Sequence, residues 1–511
     1  RGARDAGLRA AAIGISMSQD ALIGLLDEAI EVVDTNRGGG TTLRELVTQS
    51  VGDEAVVSID QRVVADLPIP TAFLDRRTMQ MARVALDGRI DLLLHEPAEV
   101  AGMKERGRRA LHEQCKERWL EALATLGIEG TPSLEAAADL VKRQVEQHGF
   151  VERAVLEVLD RLRAHGMLDE GAGRLSGQWL DSALKEIREL DLKVYTALPG
   201  LGGRAIRDLT SQGGQNIWDA AEKIDRCWAE VDKYVSSCPD PDLELATRDA
   251  LEGLVMTVRE ALLDELRTEA EEYWKREVGD EFRGFERAYP FDGQGEDVRM
   301  DEFAEVLRPG TGKYSSTFAL LAKLTEPHGR TDALLSFSQD FEEDRRVVEE
   351  VQRAMFTDPD APGPSVAFKI DMENDADVSC TELGFAGNQR VSTKLMRPSL
   401  LRETPWTWTG ASGPGAWVRV TIATEPPLYK EEKPEEETVW SFFRLFAEGR
   451  PECSTEDPRR VDCRWGFTYE LRVGAEQECE AALAITTVNG PNPFVPKFFE
   501  RFQFAGHVFR N

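Results

Sequence analysis

The residues with the clearest potential for chemistry lie in LRPGTGKYSST, residues 307–317. Gly312 and Lys313 resemble the end of a phosphate-binding loop, in which backbone amides wrap the phosphates and a hydroxyl holds Mg²⁺. Such a loop needs Gly, four residues, then Gly-Lys-Ser/Thr. Here the first Gly position falls on Leu307 and the hydroxyl position on Tyr314. The spacing therefore predicts a helix end and a Pro-Gly turn, not a nucleotide site.

A second glycine-rich stretch, GLGGRA at 200–205, matches a dinucleotide-binding pattern. That fold also requires a second strand ending in an acidic residue about 20 positions later. The residues found there, 217–228, read IWDAAEKIDRCW and have the spacing of an amphipathic helix. We therefore expect no nucleotide or other cofactor in this chain.

The remaining reactive residue types form no recognisable catalytic or metal signature. The sequence has seven Cys and six His, but no CxxC, HExxH, GxSxG or Cys/His cluster. We therefore predict no catalytic residue, no metal site and no enzyme activity. Cys453 and Cys463 bracket the polar stretch STEDPRRVD, and the sequence leaves open either a disulfide or two free thiols.

Charge and length limit the possible partners. The chain has 511 residues, 41% of them hydrophobic, and a net charge of −30. This charge argues against nucleic acid and against a polybasic contact with anionic lipid. The sequence contains no apolar run of membrane-spanning length and begins at Arg1. We expect a soluble piece of a longer protein.

The predicted helices and strands lie in separate parts of the chain. The boundary between them is where the spacing of hydrophobic residues along the sequence changes. Residues 1–285 have helical spacing throughout, and we predict one all-α bundle or stalk, or two bundles with a break near 127–145 or 198–216. Residues 286–364 form a helical connector that contains the glycine-rich turn. Residues 365–511 show short alternating strands separated by Gly, Pro and Asn turns, typical of an antiparallel β-sandwich. The fold class is multidomain α plus β.

Two tryptophans in the predicted β-region stand apart. Trp406 and Trp408 are two residues apart in an extended segment, so their side chains share a face. This pattern fits a buried core, an exposed aromatic surface for a protein partner, or a platform on which sugar rings stack. We keep all three hypotheses at this point.

An ordered series of short motifs resembles the C-terminal, periplasmic part of the IcmF/TssM family of type VI secretion proteins. The series is YPF, the helix and turn DVRMDEFAEVLRPGTG, WTWTG, VWSFFRLF and NPF. It covers roughly residues 270–511. The residues that carry it are Tyr289, Pro290, Phe291, Phe303, Gly310, Gly312, Trp440, Phe443, Arg444, Leu445, Asn492, Pro493 and Phe494.

The resemblance implies a non-catalytic periplasmic scaffold of a type VI secretion membrane complex. Such a protein is anchored in the inner membrane by a part outside this chain, and its helical stalk crosses the periplasm. Its β-domain docks an outer-membrane lipoprotein, and copies associate into a ring beside an inner-membrane partner subunit. The alternative is a carbohydrate- or peptidoglycan-binding module with a helical spacer. Solvent-facing Trp406 and Trp408 would favour this alternative.

For the motif residues we predict structural roles first. Tyr289, Pro290 and Phe291 end the helical region, because Pro biases the preceding residue away from helix. Trp440, Phe443 and Leu445 pack inside the sandwich, where Arg444 satisfies a carboxylate or carbonyls. Asn492 and Pro493 form a turn before Phe494.

Overall fold

The fold is seen in a computed structural model, which describes most of the chain after residue 53. The described residues are 54–58, 66–70, 76–93, 97–124, 134–137, 141, 150–167, 178–195, 215–238, 240–292, 295–385, 389–410, 415–434, 437–471, 474–495, 497–502 and 507–510. The stretch GLGGRA at 200–205 and most of both predicted breaks lie outside them. Described residues up to Glu265 belong to one compact unit and those from Leu266 to a second. The predicted division into three segments stays a prediction.

The first unit is mainly helical. It contains the strands β1 (Glu54–Ser58) and β2 (Asp66–Pro70) and the helices α1 (Arg76–Leu93), α2 (Pro97–Ala124), α3 (Phe150–Ala164), α4 (Gln178–Tyr195), α5 (Gln215–Val235) and α6 (Pro241–Trp274), whose last residues lie in the second unit. The predicted apolar stripes are buried, for example Val155 and Leu162 on α3 and Ile224 and Val231 on α5. The all-helical expectation for this region missed the hairpin of β1 and β2, which pair antiparallel. Pro68 and Pro70 disfavour helix in the second of these strands.

The helix α6 begins at Pro241, directly after a capping carboxylate. The backbone amides of Asp242 and Leu243 donate to the Asp240 carboxylate at 3.1 and 3.0 Å. Pro241 takes the first helical position, where a missing N–H costs nothing. The helical path continues as a π-helical turn, Lys275–Gly279, and the helix α7 (Asp280–Phe285).

The second unit continues with helices and then becomes an antiparallel β-sandwich, as predicted. The helices are α8 (Met300–Leu307), α9 (Lys313–Ala322) and α10 (Gln339–Met355). The strands and short helices that follow are β3 (Ser365–Asn374), β4 (Val378–Phe385), β5 (Gln389–Ser392), α11 (Pro398–Glu403), β6 (Trp406–Thr409), β7 (Trp417–Ile422), β8 (Leu428–Glu432), α12 (Ser441–Glu448), β9 (Glu452–Cys453), β10 (Arg460–Glu470) and β11 (Glu476–Thr487).

The strands form two sheets with every pairing antiparallel. One sheet has the order β6-β3-β11-β10-β9 and the other the order β5-β4-β7-β8. Alternate residues face the core, so that Val366, Phe368, Ile370 and Met372 of β3 are all buried. This alternation is the period-two signal that the sequence carries.

The charged stretch at 429–437 forms most of an edge strand. Its residues 429–432 belong to β8, which pairs with β7 in a hairpin. Arg419 lies opposite Glu431 in this pairing and forms an ion pair with it. Charged side chains on an edge strand project into solvent and oppose further pairing, which explains an acidic strand at this position.

Candidate functional site

The glycine-rich turn joins two helices and has no geometry for phosphate. The helix α8 ends at Leu307, and Gly310 follows with φ of +74°, a region that side chains rarely adopt. A Cβ on Gly312 would lie 2.6 Å from the Val306 carbonyl oxygen, so only glycine fits there. Lys313 forms ion pairs with Glu281 at 2.7 Å and Glu305 at 3.0 Å, which occupy its ammonium group.

The YPF motif forms a loop closed by two backbone hydrogen bonds. The Tyr289 amide donates to the Glu296 carbonyl, and the Val298 amide donates to the Tyr289 carbonyl, each at 2.9 Å. The Tyr289–Pro290 peptide bond is cis. The helix α7 ends at Phe285, just before this loop. The closed loop fixes the position of Asp297, the first residue of the motif DVRMDEFAEVLRPGTG.

Asp297 is the carboxylate partner of Arg444. The Arg444 guanidinium lies 2.5 Å from the Asp297 Oδ1, and both side chains are largely buried. The same guanidinium lies 3.9 Å from the centre of the Tyr289 ring, which adds a cation–π contact. Burial raises the pKa of Tyr289 above its ordinary value, although the Arg444 charge opposes this rise. Arg444 therefore joins the YPF loop to the helix α12.

The helix α12 carries the other residues of its motif into the core. Trp440, Phe443 and Leu445 are 0–5% exposed. The Trp440 indole N–H donates to the Val298 carbonyl at 2.7 Å. Its ring lies 5.7 Å from that of Phe303 on α8. These contacts join the helical connector to the sandwich through aromatic packing and one buried hydrogen bond.

The NPF motif is held by a single buried amide. Asn492 is 1% exposed, and its Nδ2 donates to the carbonyls of Arg459 at 2.7 Å and Ile485 at 3.1 Å. Its Oδ1 accepts from the Phe494 amide at 3.0 Å. The Phe494 ring then lies 4.7 Å from that of Phe443. Three of the motifs therefore converge on one aromatic cluster.

A cavity of about 400 Å³ opens where these motifs meet, and we call it the motif cavity. Its wall is largely proline and aromatic, with a few charged side chains. It is lined by Tyr289, Pro290, Phe443, Arg444, Ala447, Glu448, Pro451, Pro493, Phe494, Val495, Lys497, Phe498, Phe499 and Glu500. This volume is in the range of known ligand pockets, about 300–1,000 Å³. The arrangement can receive an apolar side chain and place a cation beside it.

Two basic residues beside this cavity have strained backbones. Arg450 has φ of +47° and Lys497 has φ of +60°, a conformation that costs a non-glycine residue about 1 kcal/mol. Lys497 lines the cavity, and Arg450 precedes Pro451, which also lines it. Both are exposed. The sequence carries no signal for this strain, since neither residue is a type that favours positive φ.

The two tryptophans of the WTWTG motif lie on one face of β6, but their exposure differs. Trp408 is 2% exposed and its ring lies 4.9 Å from that of Phe443. Trp406 is half-buried and packs edge-on against Phe385 at 5.9 Å. The buried Trp408 ring counts against a platform for stacking sugars, which needs accessible faces.

The two candidate disulfide cysteines are free thiols in this structure. Cys453 is exposed on β9 and lies opposite Val461, whereas Cys463 is buried further along β10. Burial raises the pKa of Cys463 to about 12, so it stays a thiol at neutral pH.

Within the described residues, no group of three His, Cys, Asp or Glu side chains is arranged to hold a metal ion. A search of the same residues for membrane spans finds no helix with the length and apolarity required.

The fold defines a class of proteins in which a mainly helical unit is followed by an antiparallel β-sandwich. One solved chain of this class, described as a type VI secretion system membrane core complex, is 14% identical to this chain, with a TM-score of 0.52. The match covers 92% of this chain and 98% of that one. At this identity the likeness establishes a shared fold.

Two further solved chains are similar at lower scores. The C-terminal domain of the TssM protein from EAEC is 18% identical over 48% of this chain and 99% of that one, with a TM-score of 0.36. A type VI membrane complex chain is 14% identical over 96% and 100%, with a TM-score of 0.49. No family model and no curated protein sequence matches this chain.

Proposed function

We propose that this chain is a non-catalytic periplasmic scaffold of a type VI secretion membrane complex. In this role its β-domain docks an outer-membrane lipoprotein, and its copies assemble into a ring with an inner-membrane partner subunit. The observation that carries the proposal is the convergence of the motif series on one cluster. That convergence occurs in a chain that shares its fold with a solved membrane core complex chain.

The motif cavity is the docking site that we assign to the lipoprotein. Its walls combine prolines and aromatic rings with Arg444, and aromatic residues and arginine are enriched at the centres of protein interfaces. Strained backbone at Arg450 and Lys497 supports a role beyond packing, because such strain is usually kept where a site requires it. We expect one apolar side chain from a partner loop to enter the cavity, with polar contacts around its rim.

The proposal is tested by measuring the dissociation constant between the 511-residue chain and the lipoprotein encoded beside it, with biolayer interferometry. Ala447 lines the cavity and is exposed on α12, so that Ala447→Trp fills the cavity without altering the core. We expect saturable binding by the original chain. The variant should weaken it at least about tenfold, which corresponds to about 1.4 kcal/mol.

Tyr429→Ala is the control variant, because Tyr429 is 64% exposed on a second candidate docking surface, the edge strand β8. Its binding should stay within about twofold of the original. A folded chain that shows no saturable binding contradicts the scaffold function. Loss of binding in Tyr429→Ala alone would indicate that the lipoprotein docks at the edge strand β8 and not at the motif cavity.

A further inference from the structure

The helical unit has a groove of about 400 Å³ between α2 and α6, which we call the acidic groove. It is lined by Glu113, Lys116, Glu117, Leu120, Glu121, Ala124, Asp242, Leu245, Ala246 and Asp249. Both walls belong to the first unit. None of these residues belongs to the motif series, so the groove is independent of the function proposed above.

The floor of the groove is apolar and partly open to water. Leu245 is 57% exposed, although it lies on a helix whose neighbouring residues Ala246 and Leu243 are buried. Leu120 on α2 is 9% exposed and lies on the same floor. Covering a leucine this exposed with another apolar side chain is favourable, because apolar surface is removed from water.

The rim is acidic and only part of its charge is neutralised locally, since Glu121 pairs with Arg118 at 2.8 Å and Asp242 pairs with Lys116. Glu113, Glu117 and Asp249 are exposed and have no ion-pair partner among the residues that the structure describes. Among the described residues that line the groove, Lys116 is the one cation, and it is already paired with Asp240 at 3.4 Å and with Asp242. The remaining charge therefore favours a cationic occupant.

The spacing of the carboxylates selects the shape of that occupant. Glu113, Glu117 and Glu121 follow one another every four residues on α2, so they extend over about 12 Å along one face. A second helix lying along the groove presents its own residues every four positions with the same rise. Lysine or arginine at such positions of the second helix would lie beside the rim carboxylates, while the apolar face of that helix covers Leu245.

We propose that the acidic groove binds a basic amphipathic helix of a partner protein, in the manner of a helix laid into a groove. A second copy of this chain is disfavoured as the occupant, since each copy carries a net charge of −30. The partner helix contributes an apolar stripe to the floor and a row of cations to the rim.

The test uses the 511-residue chain and a fluorescein-labelled 18-residue helical peptide of Leu and Lys, with lysines on one face. Binding is followed by fluorescence anisotropy at 150 mM NaCl, where long-range attraction is largely screened. Two comparison peptides are the same design with Glu in place of Lys, and a shuffled Leu-Lys peptide without an amphipathic face. We expect binding of the first peptide only.

Variants locate the binding. Glu117→Lys and Leu245→Ser should each raise the dissociation constant of the peptide at least about tenfold. Asp160→Lys and Leu156→Ser make the same chemical changes at exposed positions of α3, outside the groove, and should change binding less than twofold. Circular dichroism checks that all four variants are folded.

Three results would overturn the proposal. Equal weakening by Asp160→Lys shows that net charge alone attracts the peptide. Equal binding of the shuffled peptide shows that no helix is selected. No measurable binding of the Leu-Lys peptide to the folded chain removes the site altogether. None of these results bears on lipoprotein docking at the motif cavity.

Discussion

At the residue scale, the glycine and arginine positions of the motif series are explained by local geometry. Gly312 has no room for a side chain, and Arg444 bridges Asp297 and Tyr289. Roles of this kind need no ligand. The sequence predicted a turn at Gly312 and a carboxylate or carbonyl partner for Arg444, but it did not identify Asp297 as that partner, because the contact spans 147 residues.

The first prediction concerns Gly312. Gly312→Ala would place a Cβ 2.6 Å from the Val306 carbonyl oxygen and 2.7 Å from the Arg308 amide nitrogen. We expect the second unit to lose about 2 kcal/mol of stability or more, seen as a lower melting temperature in calorimetry. Gly363→Ala is the control, because a Cβ there meets nothing within 4 Å. Equal effects of the two substitutions would contradict the steric explanation.

A second prediction concerns the partly buried ion pair. Removing one member leaves the other charge largely buried without its partner, so Arg444→Met or Asp297→Asn alone should each cost about 2–4 kcal/mol of unfolding free energy. The double variant should cost less than the two together, with a coupling of about 1–3 kcal/mol. Urea denaturation of all four proteins measures this cycle. Simple additivity would show that the 2.5 Å contact contributes little.

At the element scale, the sequence predicted which segments are helical better than it predicted where each helix begins. The apolar stripes of α3 and α5 fixed which faces are buried, since a helical period is a strong local signal. The start of α6 depends on Asp240 and Pro241, which lie outside the stripe. Three of the five residues of β8 are charged and none is buried, so its identity rests on pairing with β7 and not on any pattern of its own.

The packing of α1 against α2 leads to a third prediction, on pH. His112 on α2 lies against Arg83 of α1. Burial, with the charges of Arg83 and His165, lowers the pKa of His112 below its ordinary value of 6.5, although Glu105 opposes this. The unfolded chain therefore takes up a proton at a pH where the folded chain does not. The helical unit should lose stability as the pH falls below about 6.5.

His112→Gln removes the titrating group and should flatten this pH dependence between pH 7 and pH 5. Chemical denaturation at a series of pH values provides the measurement. His328→Gln is a suitable control, because His328 lies in the second unit on an exposed turn. A pH dependence that is unchanged in His112→Gln would show that other groups are responsible.

At the scale of the whole molecule, the order of helices followed by strands could be predicted because the hydrophobic period changes from 3.6 to 2 near residue 364. The motif cavity and the acidic groove could not be predicted from the sequence, because each brings together residues far apart in the chain. Lys116 and Asp242, for example, are 126 positions apart and yet form an ion pair. Sequence periodicity predicts which face of an element is buried, but not which other element covers it.

Docking of a type VI secretion lipoprotein at the motif cavity is the part of the proposed function on which the rest depends. The most direct measurement introduces a photo-cross-linking amino acid at Ala447 in the cell and identifies the trapped molecule by mass spectrometry. We predict a covalent product with the lipoprotein encoded beside this chain, and no such product from a probe at Leu156 on α3. A product with peptidoglycan or with an unrelated protein at Ala447 would contradict the account.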